Sequence, residues 1–595
     1  MSSVFLNFTV LTEYNFTKWI KFMNKSFSRR FLNKSKFSII GASLIALMIQ
    51  NPVYADSGSS QGQYAAVVQS GNGVAVATLK DGLLQGYISN GIYTYKGVQY
   101  ATAERFMPPR KVAPWDGVKM AVNYGSVAPQ LTDKANDIFP PHWYWPHWEA
   151  RNLAQGEDCQ NLNIWTPALN DNKKRPVMVW LHGGGFFMGS ASAEDVYDGE
   201  NLSRRGDVVV VSVNHRLNSL GFLDLSAYGD KYRDSGNAGM LDIVAALEWI
   251  HENIEKFGGD PDNVTVFGQS GGGSKVATLM AMPKAKGLFH KAIIQSGAIE
   301  LMGMSVPRQE AIRKVAAQTL KNLKLSAKNV DKLATLSYDQ LSSAANAAFA
   351  QVSQELGPQV LYPNVGWGPV LDGRNVIQDP VLGGVSEMSR QIPVLNGTVA
   401  NEWTTIDQWP NMAVAQYDNK NNWSDEEVAK RLQAKYGKDT DRVVEAFKKA
   451  YPDKPVANAL YVDTRMRTRA LKVANTISKQ PGAPVYNYVF TWETPVMGGF
   501  GMAYHCSEIP FVFNNINLSA QATGTSKEAY KLAETISDVW VSFARDGKPS
   551  SANLPEWKPF TQEHGYTMVL DNKSELRDNH DKELMSILMP DYNFQ

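Results

Sequence analysis

A serine stands between glycines in Val266-Phe267-Gly268-Gln269-Ser270-Gly271-Gly272-Gly273, after a β-branched run and before a segment able to form a helix. A sharp strand-to-helix turn at that point would hold Ser270 in a strained backbone conformation with its hydroxyl exposed as a nucleophile. Gly268 and Gly272 would be small there because a Cβ would strike the neighbouring strand or helix. The five-residue pattern is weak alone, since in a glycine-rich chain of this length a chance match is about as likely as not. A second element upstream changes its weight. Pro176-Val177-Met178-Val179-Trp180-Leu181 reads as a buried parallel strand running into His182-Gly183-Gly184-Gly185-Phe186. Three glycines after such a strand can leave backbone N–H groups free to face a ligand. Covalent attack on a carbonyl needs such donors, because the tetrahedral intermediate carries negative charge on the former carbonyl oxygen. Gly184, Gly185 and Gly271 are the expected donors, and Phe186 is expected beside them at the pocket wall.

With these two segments as anchors, the chain resembles the type-B carboxylesterases of the cholinesterase and para-nitrobenzyl esterase kind. The resemblance also rests on Glu157-Asp158-Cys159-Gln160-Asn161-Leu162-Asn163-Ile164-Trp165-Thr166-Pro167, on Asn214-His215-Arg216-Leu217 leading to Gly221-Phe222-Leu223, and on Gly236-Asn237-Ala238-Gly239 with Asp242. It continues through Asn253-Ile254, Phe257-Gly258-Gly259-Asp260-Pro261 and Gly368-Pro369-Val370-Leu371-Asp372-Gly373 to Phe543-Ala544-Arg545-Asp546-Gly547. The resemblance implies an α/β-hydrolase fold: a central, mostly parallel sheet flanked by helices, with helical insertions around the active-site gorge.

Chain order in that fold runs serine, acid, histidine. After the strand Ile392-Pro393-Val394-Leu395, the segment Gly397-Thr398-Val399-Ala400-Asn401-Glu402 is similar to the family's turn carrying a catalytic glutamate, so Glu402 is the expected acid. Tyr504-His505-Cys506-Ser507-Glu508-Ile509-Pro510-Phe511-Val512-Phe513 resembles the segment in which a histidine precedes an acidic residue and an aromatic strand. His505 is the expected general base, oriented by Glu402. His182 reads as a structural residue of the oxyanion loop, and His215, His251 and His290 as packing or surface residues.

Two departures from the family bear on substrate choice. Gln269 stands where the family usually carries glutamate, which removes a negative charge from the pocket floor. The segment Phe139-Pro140-Pro141-His142-Trp143-Tyr144-Trp145-Pro146-His147-Trp148 lies where relatives have a loop over the gorge, so Trp143, Trp145 and Trp148 could wall the pocket and stack on an aromatic acyl or alcohol group. A packing loop or a dimer contact accounts equally well for those rings. Residues Ser305 to Phe349 read as an amphipathic cap.

A formal net charge of +1 over 595 residues excludes a broad field that would recruit nucleic acid or anionic lipid. At the N-terminus, Ser28-Arg29-Arg30-Phe31-Leu32 with Lys34 and Lys36 precedes an apolar run, Phe37 to Ile49, and a small-residue site at Val53-Tyr54-Ala55. That pattern is an export signal over 1–55 with cleavage after Ala55, followed by a single catalytic domain over 56–595. The run falls short of the roughly 20 residues that span a bilayer. Met23 opens a more ordinary signal than Met1, and the twin arginine hints at the Tat route. The product is expected in the periplasm or medium, as a monomer or homodimer without a stable membrane anchor.

Relatives pair the cysteine of the Glu-Asp-Cys motif with one upstream, where this chain has Ala128-Pro129-Gln130. The pairing implied by the resemblance is therefore missing, and Cys506, beside His505, is a poor substitute partner for Cys159. No metal or cofactor is called for. The expected activity is hydrolysis of small to medium uncharged esters. Alternatives are a lipase or a feruloyl- or tannin-type aromatic-ester hydrolase, and a non-catalytic cholinesterase-like binding protein. The third is disfavoured because Ser270, Glu402 and His505 are all present.

Overall fold

The long apolar runs form strands buried on both faces, as a parallel sheet between helical layers requires. The computed structural model describes residues 67–130, 153–297, 308–356, 367–380, 386–403 and 417–594, which belong to one compact unit spanning 65–595. The export-signal region and the aromatic segment with Trp143, Trp145 and Trp148 lie outside the described residues.

Among the described residues the main sheet has twelve strands: β1 Val68–Gln69, β2 Tyr87–Ser89, β3 Ile92–Gln99, β4 Asn161–Thr166, β5 Arg175–Leu181, β6 Val209–Val213, β7 Gly259–Gln269, β8 Lys291–Gln295, β9 Val394–Val399, β10 Val485–Phe490, β11 Thr567–Leu570 and β12 Glu575–Arg577. Their spatial order is β1-β2-β3-β4-β6-β5-β7-β8-β9-β10-β11-β12. The seven strands from β6 to β11 in that order run parallel, and antiparallel strands flank them on both sides. The crossover of β5 and β6 is a topological switch of the kind that opens a crevice at the carboxyl ends of strands.

Register then decides which residues meet. Leu181 pairs with Gly268, Gly268 with Ile294, and Gln295 with Gly397. β5, β7 and β8 therefore end at one level beside Gly397 of β9, and the residues just beyond them are His182, Ser270 and Ser296, with the turn to Glu402 following β9. β9 runs through Gly397 to Val399, further than Leu395, where sequence ended it. Gly397 is a sheet residue rather than a turn residue, and a Cβ there would lie 2.3 Å from the Tyr488 ring on β10.

The helices include α1 Ala238–Asn253, α2 Gly271–Leu279, α3 Arg308–Asn322, α4 Tyr338–Leu356, α5 Met466–Ser478, α6 Ile509–Val512 and α7 Lys527–Asp546. α3 and α4, within the segment read from sequence as an amphipathic cap, pack on each other. The aromatic segment expected as a strand is instead the short helix α6, with Pro510 in its first turn. All four of its residues are buried, so no polar face gives a helical period, and proline's fixed φ suits a helix start.

Two buried ion pairs tie the frame together. Arg216 meets Asp242 on α1 through Nε to Oδ2 at 2.8 Å and Nη2 to Oδ1 at 2.7 Å, and gives further bonds to the carbonyls of Glu104 and Met107. Arg467 on α5 meets Asp581 in the same two-point manner at 2.7 and 2.9 Å. Both cysteines are free and buried. Cys159 packs with Ala128 and Leu217, so an apolar contact occupies the place of the missing disulfide. Among the described residues no helix is long and apolar enough to cross a membrane.

Candidate active site

Ser270 sits between β7 and α2 with φ 55° and ψ −124°, the strained conformation expected at a strand-to-helix elbow. Its backbone N–H donates to Gln295 O at 2.8 Å, which fixes the turn to the end of β8. Methyl groups on Gly268 or Gly272 would come within 2.6 and 1.9 Å of Leu181 O, so only glycine admits this approach of helix to strand. The serine is less accessible than expected. It is only 6 % exposed, because the glycine loop after β5 lies over it.

That loop meets the elbow directly. A Cβ on Gly271 would lie 2.2 Å from Gly185 O, and one on Gly183 would lie 3.6 Å from Ser270 Cβ. The structure thus brings Gly184, Gly185 and Gly271 together around Ser270. Phe186 does not join them at a pocket wall. It is wholly buried, edge-on to Phe222 at 5.3 Å, because the chain turns it into the core.

His505 and Glu402 arrive on two facing loops. His505 Nδ1 donates to Glu402 Oε2, and the backbone N–H of His505 donates to Glu402 O at 2.7 Å. The first bond puts the ring proton on Nδ1 and so makes Nε2 the basic nitrogen. The other carboxylate oxygen, Oε1, accepts from Ser296 Oγ at 2.6 Å and from Val399 N at 3.2 Å. Glu402 is fully buried, so these bonds replace its hydration. Asp372 stands elsewhere. Its oxygens accept the N–H groups of Arg374, Asn375 and Val376 and the amides of Asn237 and Asn375, which makes it a turn residue.

Gln269 joins the two halves. Its Nε2 is 3.4 Å from both ring nitrogens of His505, which puts the amide over the ring rather than on either lone pair. Its Oε1 accepts from Cys506 Sγ at 3.1 Å. Only 1 % exposed, Gln269 backs the histidine instead of flooring an open pocket. The Trp403 ring stacks on His505 with centroids 4.4 Å apart and planes 26° apart.

Several polar residues around the site have surroundings that the sequence did not display. Glu508, a turn beyond His505, is pushed up to about 7 by burial and then by the charge of Glu402. Asp463 rises to about 6 for the same reasons in the same order, while its oxygens accept the N–H groups of Arg465, Met466 and Arg467 at the start of α5. On α2, burial draws Lys275 down to about 7. His182 and His215 stack at 5.1 Å, and burial first, then the Lys275 charge, holds both well below the ordinary imidazole range. Among the described residues no group of three His, Cys, Asp or Glu side chains could hold a metal ion.

Comparison with known proteins adds an independent line. A profile described as "Carboxylesterase family" matches residues 73–587. The para-nitrobenzyl esterase of Bacillus subtilis (strain 168) is 33 % identical over 521 residues, covering 87 % of this chain and 98 % of that protein. Among solved structures, an esterase from Clostridium hathewayi described as able to hydrolyse aliphatic aromatic polyesters superposes with TM-score 0.80 at 38 % identity, covering 89 % of this chain and all of the other. A carboxylesterase of Geobacillus stearothermophilus follows at TM-score 0.66 and 32 % identity, covering 86 % and 99 %.

Proposed function

From the premise that this chain belongs to the carboxylesterase family and is a carboxylic ester hydrolase, we propose that it cleaves small to medium uncharged esters through an acyl-enzyme on Ser270. Ser270 Oγ attacks the ester carbonyl as His505 Nε2 takes its proton. The N–H groups of Gly184, Gly185 and Gly271 receive the oxyanion, and the imidazolium returns the proton to the departing alcohol. Water then repeats the sequence on the acyl-enzyme. Glu402 holds the tautomer that leaves Nε2 basic and stabilises the imidazolium.

One observation carries this reading: the Glu402–His505 pair lies against Gln269, the residue next to the strained Ser270. The test is Ser270→Ala, which should fold as the wild type does and lose at least about a thousandfold in kcat. A phosphonate ester should label the wild type once, at Ser270. Residual turnover above a few per cent, or labelling elsewhere, overturns the assignment.

The polyester activity named for the Clostridium hathewayi esterase favours a second reading, an aromatic-ester hydrolase. On that reading Trp143, Trp145 and Trp148 stack on an aromatic acyl group. Benzoate and butyrate esters of one alcohol separate the two, since kcat/KM favours benzoate only on the second. The mature chain on either reading is exported and begins at Asp56, which N-terminal sequencing of the secreted protein checks.

A further inference from the structure

The four consecutive carbonyls from His182 to Gly185 each have a donor turned on them. Lys275 Nζ donates to His182 O at 2.8 Å and to Gly185 O at 2.9 Å, the first and last of the four. His182 Nδ1 lies 2.8 Å from Gly183 O, and since a carbonyl only accepts, the imidazole carries its proton there. Gly184 O accepts the backbone N–H of Met188 at 3.1 Å and of Phe187 at 3.4 Å. A trans peptide has its N–H opposite its C=O. Holding Gly183 O and Gly184 O toward these donors therefore turns the Gly184 and Gly185 N–H groups away from them. Among the described residues neither of those N–H groups donates a bond within the protein.

Two glycines with φ of +84° and +60° would not keep this arrangement unaided, because glycine crosses to other conformations at little cost. The restraint comes from a side chain buried without a counter-ion. Lys275 is wholly buried, no carboxylate pairs with it among the described residues, and its nearest charge-sensitive neighbours, His182 and His215, are neutral. A lysine held in such surroundings costs stability; the two carbonyls accept its N–H bonds, and its nitrogen lies 5.3 Å from the centroid of the Phe186 ring. It stands on α2, the helix that begins immediately after Ser270, so one rigid element carries the nucleophile and the loop's restraint.

We propose that Lys275 is a positioning residue for ester hydrolysis: with His182 it clamps the 182–185 loop so that the Gly184 and Gly185 N–H groups stay aimed at the developing oxyanion. This rests on the proposed role of those glycines in the serine mechanism. Lys275 touches no reacting atom, so its contribution lies in the transition state and not in binding of the ground-state ester.

Lys275→Met keeps the length of the side chain and removes its donors. With active sites counted by phosphonate titration, kcat per titrated site should fall about 10- to 100-fold, less than or comparable to the loss of one oxyanion donor. KM should stay within about threefold. Inhibition by a trifluoromethyl ketone, whose hemiketal oxyanion occupies the same donors, should weaken by the same factor as kcat. A purely structural lysine would change the number of titratable sites and leave all three constants per site unmoved, and that outcome overturns the proposal. Should Lys275→Met not fold, His182→Phe, which keeps the ring and removes the donor to the Gly183 carbonyl, is read the same way. Ser270→Ala measured alongside separates the two levels. An active Ser270→Ala sinks the serine mechanism, whereas an inactive one beside a fully active Lys275→Met sinks the clamp alone.

Discussion

His505 and Glu402 are joined twice, by imidazole Nδ1 to carboxylate Oε2 and by backbone N–H to backbone carbonyl at 2.7 Å. The second bond matters because it ties the loops themselves, and Asn401 N adds a third link to Ala503 O at 3.0 Å. The imidazole thus stays in place when the carboxylate is changed, so a substitution at Glu402 reports on charge and tautomer more than on position.

On that basis Glu402→Gln should lower kcat by roughly 10³–10⁴ with little change in KM, because the amide can offer its NH₂ to Nδ1 and favour the wrong tautomer. Ser296→Ala, which removes the 2.6 Å bond to Oε1, should cost about 10- to 100-fold, as one hydrogen bond to a charged group is worth roughly 1.5–3 kcal/mol. His505→Ala combined with Glu402→Gln should be no worse than His505→Ala alone, since the residues act as a unit. Steady-state kinetics on a nitrophenyl ester checks all three. A nearly silent Glu402→Gln would refute Glu402 as the orienting acid.

Glu508 lends itself to a stability measurement. Burial, and then the charge of Glu402, hold its carboxyl at about 7, above the ordinary glutamate value of 4.5, so the folded state holds the proton more tightly than the unfolded one. Stability contributed by the neutral acid is therefore complete below about pH 4.5 and is lost as pH rises toward 7. Glu508→Gln, which cannot ionise, should be more stable than wild type at pH 8 by on the order of 1–3 kcal/mol and nearly equal to it at about pH 4. Denaturant midpoints at the two pH values decide. A pH-independent difference would show that Glu508 does not titrate between them.

Much of the site was legible because its residues answer to backbone demands that a sequence displays. Gly268, Gly272 and Gly271 are glycine for reasons of contact within 1.9 to 2.6 Å, and such positions leave a pattern. Glu402 and His505 could be placed through the resemblance and the chain order. Ser296 could have been found with them, since it follows β8 as Ser270 follows β7 and has φ 48°. Lys275, Trp403, Asp463 and Glu508 were not legible, because their roles arise only when separate strand ends are brought to one level. Phe186 misled through adjacency: its neighbours Gly184 and Gly185 face the serine, and it turns inward. The Arg216–Asp242 pair was visible only as two motif residues. Its burial predicts that Asp242→Ala costs about 3–5 kcal/mol, since it strands a buried guanidinium; thermal unfolding should show the loss.

Gln269 carries the last prediction. The amide lies over the His505 ring and is nearly inaccessible, so any selection for substrate charge must act through space and not by contact. Gln269→Glu puts a carboxylate there. An anion over the ring stabilises its protonated form, so the acid limb of the pH–rate profile should move to higher pH. The same charge should attract a cationic alcohol group. Above pH 7 at low ionic strength, kcat/KM for a choline ester relative to its neutral isostere should rise about five- to thirtyfold, the yield of roughly 1–2 kcal/mol from one charge across a partly polar interior. The wild type should correspondingly favour neutral over choline esters of equal acyl length. Equal ratios in wild type and variant, with the acid limb shifted as expected, would mean that position 269 tunes the base without selecting the substrate.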